Sequence, residues 1–127
     1  MNKEELDNKL KELKIEDFIW FIYIGIIILS WYSNTLERKY FIYNDLESKE
    51  KYRKIIILIF SILAIIYLYF LNSSKEEINS LKPSDSNQKK TLTYLSYLAS
   101  FLIVISGLIY LYIAIVDTEL RVELAFN

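Results

Sequence analysis

The sequence predicts an all-α integral membrane protein with three transmembrane helices, a short N-terminal amphipathic helix, and helices one and two extending beyond the bilayer. Residues 18–32, 55–71 and 91–116 take up 15, 17 and 26 positions of the 127-residue chain without a charge, and every Lys, Arg, Asp and Glu lies between or outside them. Hydrophobic residues make up 54% of the chain, yet mean hydropathy is only +0.23, because the 24% of charged residues are packed into connections and tails. Apolar and polar residues are thus separated in blocks, where a water-soluble domain of this length would interleave them with helical or strand period. In hydrocarbon an unpaired backbone amide costs several kcal/mol, so such blocks must close their own hydrogen bonds as helices.

The first block is the shortest. Fifteen residues rise only about 22 Å, against a hydrocarbon core of about 30 Å. Continuing through Ser33, Asn34, Thr35 and Leu36 gives 19 residues without charge, and Trp20, Trp31 and Tyr32 place amphipathic rings toward both ends. The third block is long, about 39 Å, so it tilts or protrudes at residues 91–94.

The polar segments read mostly as helix. Leu6, Leu10 and Leu13 recur at heptad-like spacing, with Glu5 and Lys9, and Asp7 and Lys11, placed for i,i+4 pairing; this predicts an amphipathic helix over 2–16. The first transmembrane helix then occupies 17–43. Asn44 with Glu47 three residues on has the form of a capping box that opens the second helix, 45–72, and leaves a charged knuckle over 38–54. Between residues 72 and 90, five serines, three asparagines and the only proline, Pro83, which disfavours helical geometry at Lys82, predict a polar loop over 73–90. Ser84 or Ser86 caps the third helix, 91–116, and a tail follows over 117–127. One membrane domain accounts for the whole chain.

Charge does not fix the orientation. With three spans, the N-terminal segment and the 72–90 connection share a side with eight Lys and Arg, and the other side holds seven. Such a tie follows from one dominant charge cluster or from dual topology. The same topology places Glu16 and Asp17 at one face, where the start of a helix favours anions, and Asp117 with Glu119 at the other. Asp17 is expected to meet Lys89 or Lys90, and Asp117 to meet Arg38, Lys39 or Lys54.

Small residues mark packing faces. Ser96, Ser100, Gly107 and Ala114 keep one stripe of the third helix narrow, with Ser61 and Ala64 on the second helix and Gly25 on the first as opposing surfaces. The stripe serves either packing within one chain or homo-oligomerisation; a polar path lined by Ser96 and Ser100 is the third option. Most of the eleven tyrosines fall near span ends, where interfacial anchoring explains them, whereas Tyr23 lies deeper and needs a hydroxyl partner.

With no Cys and no His, thiol nucleophiles, disulfides, thiolate zinc sites and imidazole acid-base chemistry are excluded. Two carboxylate pairs a membrane apart cannot form one acid-base site. The expectation is therefore no catalytic, cofactor or metal site. A net charge of −1 argues against nucleic acid. Partners are the lipid bilayer and a second copy or another membrane protein. The composition, rich in Ile, Lys, Asn and Tyr, points to a bacterial cytoplasmic membrane and a multi-pass chain without a cleaved secretory signal. The functional expectation is a non-enzymatic small membrane protein acting through helix association, as a homo-oligomer, an accessory subunit, or an immunity or membrane-perturbing factor. The alternative is a small ion channel or transporter, such as a dual-topology dimer, although no Asp, Glu, Lys or Arg lies within a span.

Overall fold

The structure, a computed structural model, describes residues 1–124. It is all-helical, with α1 over Lys3–Tyr43, α2 over Leu46–Asn79 and α3 over Asn87–Val116. At 1.5 Å per residue these helices are about 61, 51 and 45 Å long, each longer than a hydrocarbon core of about 30 Å. By length and composition, α2 and α3 are each apolar enough to cross a membrane.

The amphipathic helix expected over 2–16 and the first span expected over 17–43 are one unbroken helix. The charge boundary at Asp17 and Phe18 contains neither Gly nor Pro, so polarity changes there while the backbone hydrogen bonding continues. Asn2 starts α1 with a complete capping box: its side chain accepts from the Glu5 amide at 2.8 Å, and the Glu5 carboxylate accepts from the Asn2 amide.

The expected Asn44 and Glu47 capping box does not form. Asn44 ends α1 in the left-handed region (φ 52°, ψ 39°), which Asn tolerates better than most residues, and the next residue, Asp45, becomes the N-cap of α2. Its carboxylate accepts from the Glu47 amide at 3.2 Å and the Ser48 hydroxyl at 2.8 Å. Two adjacent residues, each suited to its own role, thus make the whole turn.

The loop expected over 73–90 is confined to residues 80–86. Lys75, Glu76 and Glu77 are good helix formers, and Asn72 reaches Glu76 one turn on, so the helix runs through the serines until Ser80 caps it against the Glu76 and Glu77 carbonyls. Asp85 then organises the connection, accepting from the Lys82 amide at 2.8 Å and from the Lys89 ammonium at 3.4 Å, and Ser86 caps α3 by accepting from the Lys89 amide.

The packing is centred on α2. It packs against both neighbours, whereas no Cα of α1 lies within 8 Å of one of α3 among the described residues. Burial follows the same order. On α1 the buried residues are Ile19, Ser33 and Leu36, and on α3 Val104, Gly107 and Ala114, while α2 buries Tyr52, Ile56, Ile59, Phe60, Leu63, Ala64 and Ile66 among others. Phe60 anchors the α2–α3 seam by stacking on Tyr110, with ring centroids 5.5 Å apart.

This core leaves much apolar surface uncovered. Trp31 is 76% exposed, Phe21 73% and Ile65 69%. The accessible surface is 9343 Å², whereas a compact water-soluble monomer of 15.2 kDa would expose about 7,100 Å².

Candidate functional site

The two ends of the bundle differ, and the difference locates the candidate site. At one end lie the α1–α2 turn, the end of α3 and the tail. Arg53, on α2, donates from Nη2 to the Ile115 carbonyl at 3.0 Å, placing a cation at an α3 terminus whose own last turn carries no basic residue. Its Nε is buried without a hydrogen-bond partner among the described residues. Lys49 bonds Glu119 at 3.1 Å and lies 5.1 Å from the centre of the Tyr40 ring, tying α1, α2 and the tail together.

Beneath these pairs, Leu124 folds back into the cluster of Leu36, Tyr52 and Ile56. Asp117 shapes that return by accepting from the Val122 amide at 2.9 Å, and Leu120 adopts a left-handed φ of 54° to complete it. Backbone amides, that of Arg121 foremost, hold the Asp117 carboxyl below its ordinary range. The Tyr52 hydroxyl donates to Glu37. Burial raises the Glu37 carboxyl and is opposed in part by that hydrogen bond, and burial followed by the nearby Glu37 charge raises the Tyr52 phenol.

At the other end the helices part. A cleft of about 320 Å³ opens between α1 and α3 over α2. From α1 it is lined by Lys9, Glu12, Glu16 and Tyr23, which recur at intervals of three, four and seven on one face. From α2 come Tyr67, Tyr69, Phe70, Ser73, Ser74 and Glu77, and from α3 Ser96, Ser100 and Ile103. Lys9, Glu12, Glu77 and Ser96 are exposed at the mouth, whereas the rings of Tyr23, Tyr67, Tyr69 and Phe70 and the hydroxyls of Ser73, Ser74 and Ser100 are at least half-buried, and Ser74 shares a 3.0 Å hydrogen bond with Ser100 where α2 meets α3.

The ends are far apart. Tyr52 stands beside Asp117 and Ser73 shares the cleft with Glu16, so the 21 residues of α2 from Tyr52 to Ser73 put about 31 Å between the two acidic groups. The anticipated ion pairs are absent. Lys89 is taken by Asp85 and Lys90 by the Pro83 carbonyl, at 3.4 and 3.2 Å, so neither meets Asp17. Asp117 turns to the tail's own backbone instead of Arg38, Lys39 or Lys54, which stay exposed outside any ion pair among the described residues.

The small-residue positions divide. Gly107 and Ala114 face α2 and are buried; a Cβ at Gly107 would lie 2.9 Å from Cδ2 of the Tyr67 ring. Ala64 is buried on α2, and Ser61 spends its hydroxyl on the Ile57 carbonyl of its own helix at 2.7 Å. Ser100 is half-buried in the α2–α3 seam, whereas Ser96 is exposed at the cleft mouth. Gly25 faces open space, with nothing within 4 Å of a Cβ built there.

The sequence reading singled out Glu16, Tyr23, Ser96 and Ser100 but missed Glu12 and Glu77 as members of one site. The signal was the register of Glu12 and Glu16 with Tyr23 along one α1 face, which becomes visible only once the helix is known to be continuous. No protein-family profile, curated protein or solved structure matches the chain.

Proposed function

We propose that the chain is a non-enzymatic, three-span protein of a bacterial cytoplasmic membrane that acts through helix association, as a homo-oligomer or as an accessory or immunity-type subunit. The observation carrying this reading is the uncovered apolar surface of all three helices. Phe21, Ile28, Trp31, Ile65 and Leu108 project outward from the α2-centred core, and apolar groups left in water cost about 25 cal/mol per Å². Lipid tails and other apolar helices remove that cost. In this reading α1 crosses through residues 18–36 beside α2 and α3.

Arg38, Lys39 and Lys54 supply exposed charge beside the tied end, where a partner outside the bilayer is engaged. Gly25 supplies an open position on α1 where a neighbouring helix approaches closely. The transport alternative draws on the hydroxyl-lined cleft, which begins at a polar end and penetrates toward Tyr23.

Purification in mild detergent, with mass determination of the protein in its micelle, tests the association reading. A stable oligomer or a co-purifying partner, lost on changing Arg38 or Lys39 to Glu, is the expected result. A monomer without partner that carries ion flux in liposomes replaces it with the transport reading.

A further inference from the structure

We propose that the cleft at the open end binds a lipophilic organic cation, an ammonium or phosphonium centre carried on an apolar or aromatic body. Charge complementarity is the first argument. Among the described lining residues, the carboxylates of Glu12, Glu16 and Glu77 face a single ammonium, that of Lys9, which stands 3.9 Å from Glu12. The mouth therefore keeps a formal excess of two negative charges.

Glu16 is the most enclosed of the three carboxylates and precedes Tyr23 by two helical turns, about 10 Å. Beyond it the rings of Tyr23, Tyr67 and Phe70 line the cleft, and the faces of such rings attract cations. The carboxylates do not converge: no group of three acidic side chains among the described residues is placed to hold a metal ion. Spread charge above aromatic walls suits a large, weakly hydrated cation better than a small metal ion, which needs several oxygens at bonding distance. A volume of about 320 Å³ falls at the lower end of small-molecule sites. The fourteen residues from Lys9 to Tyr23 give the cleft a length of about 21 Å, so the ligand lies along the helices, charge outward.

This inference holds for a monomer and an oligomer alike, so its failure leaves the association reading standing, and the reverse. Trp20 provides the probe, because its ring centroid is 5.5 Å from that of Tyr23 in the cleft wall, and Trp31→Phe leaves it the sole indole. The full chain in neutral maltoside micelles is titrated with tetraphenylphosphonium and, separately, with tetraphenylborate, which has nearly the same shape and the opposite charge.

The expected result is a saturable change in Trp20 emission with the cation only, weakened about tenfold by Glu16→Gln through loss of one nearby charge. Ser96→Phe, which fills the mouth and leaves every carboxylate in place, abolishes it, with helicity checked by circular dichroism for both variants. Equal response to cation and anion overturns the proposal, as does unchanged titration of both variants. So does a co-purifying phospholipid that the cation fails to displace.

Discussion

The tied end and the open end are built from the same three helices, yet one is closed by specific long-range contacts and the other is held apart. At the tied end a two-residue turn forces α1 and α2 together, and Arg53, Lys49 and the tail draw α3 into the same cluster. At the open end α1 has no chain connection to its neighbours, the seven-residue connection 80–86 satisfies itself through Asp85, and the first turns of α1 stand exposed. Short connection and packing coincide. Where the chain does not force helices together, charged mouth residues and a cleft occupy the space.

The largest expected effect contrasts the two regions directly. Phe60→Ala removes the ring stacked on Tyr110 and should cost about 3–5 kcal/mol, whereas Leu13→Ala on the exposed face of α1 should stay within about 0.5 kcal/mol. Reversible denaturation in mixed micelles measures both, and similar losses would erase the distinction.

Next come the glycines. Gly107→Leu pushes a side chain into the Tyr67 ring and should destabilise the α2–α3 seam by about 1–3 kcal/mol. Gly25→Leu meets open space and should leave the fold intact while weakening assembly, read as a lower micellar mass at unchanged helicity. A Gly25→Leu chain that unfolds would place α1 in contacts the fold does not contain.

At the open end, Ser86→Ala deletes the α3 cap and should cost about 1 kcal/mol. Hydrogen exchange sharpens the comparison here, since faster exchange is expected in the first turn of α3 and no change near Arg53.

The smallest effect is a pH dependence at the tied end. The Glu37 carboxyl is raised above its ordinary value of 4.5 mainly by burial, so its contribution is fully favourable below that value and is lost as pH rises through the higher folded-state pKa. Glu37→Gln keeps an acceptor for the Tyr52 hydroxyl and should flatten the melting temperature between mildly acidic and neutral pH. A steeper profile than the parent's would contradict the burial at Glu37.

Much of this was legible in the sequence because it rests on local chemistry. The three charge-free blocks anticipate the helices, Pro83 the break between α2 and α3, and the pair Ser84 or Ser86 the cap, of which the fold uses Ser86. Errors arose where neighbouring residues competed for one role. Asn44 and Asp45 both suit a cap, and only the backbone turn assigns the left-handed position to Asn and the N-cap to Asp. Serines at 73, 74 and 80 resemble a loop until Lys75, Glu76 and Glu77 are weighed as helix formers. The cleft and the Arg53 contact were hidden for another reason. They depend on which residues of three long helices come level, and a register error of one residue turns Glu12 or Arg53 by 100° away from its partners.

The central claim is that lipid tails cover the outward faces of these helices, and it can be read position by position because the chain contains no cysteine. Single cysteines at Phe21, Ile28, Ile65 and Leu108, with Ser80 and Glu50 as exposed controls, would carry nitroxide labels in liposomes, with collision rates measured for oxygen and for a water-soluble nickel complex. The account predicts high oxygen and negligible nickel access at the four apolar positions and the reverse at the controls. Nickel access at Phe21 and Ile28 equal to that at Ser80 would mean that water covers those faces, and would contradict the account.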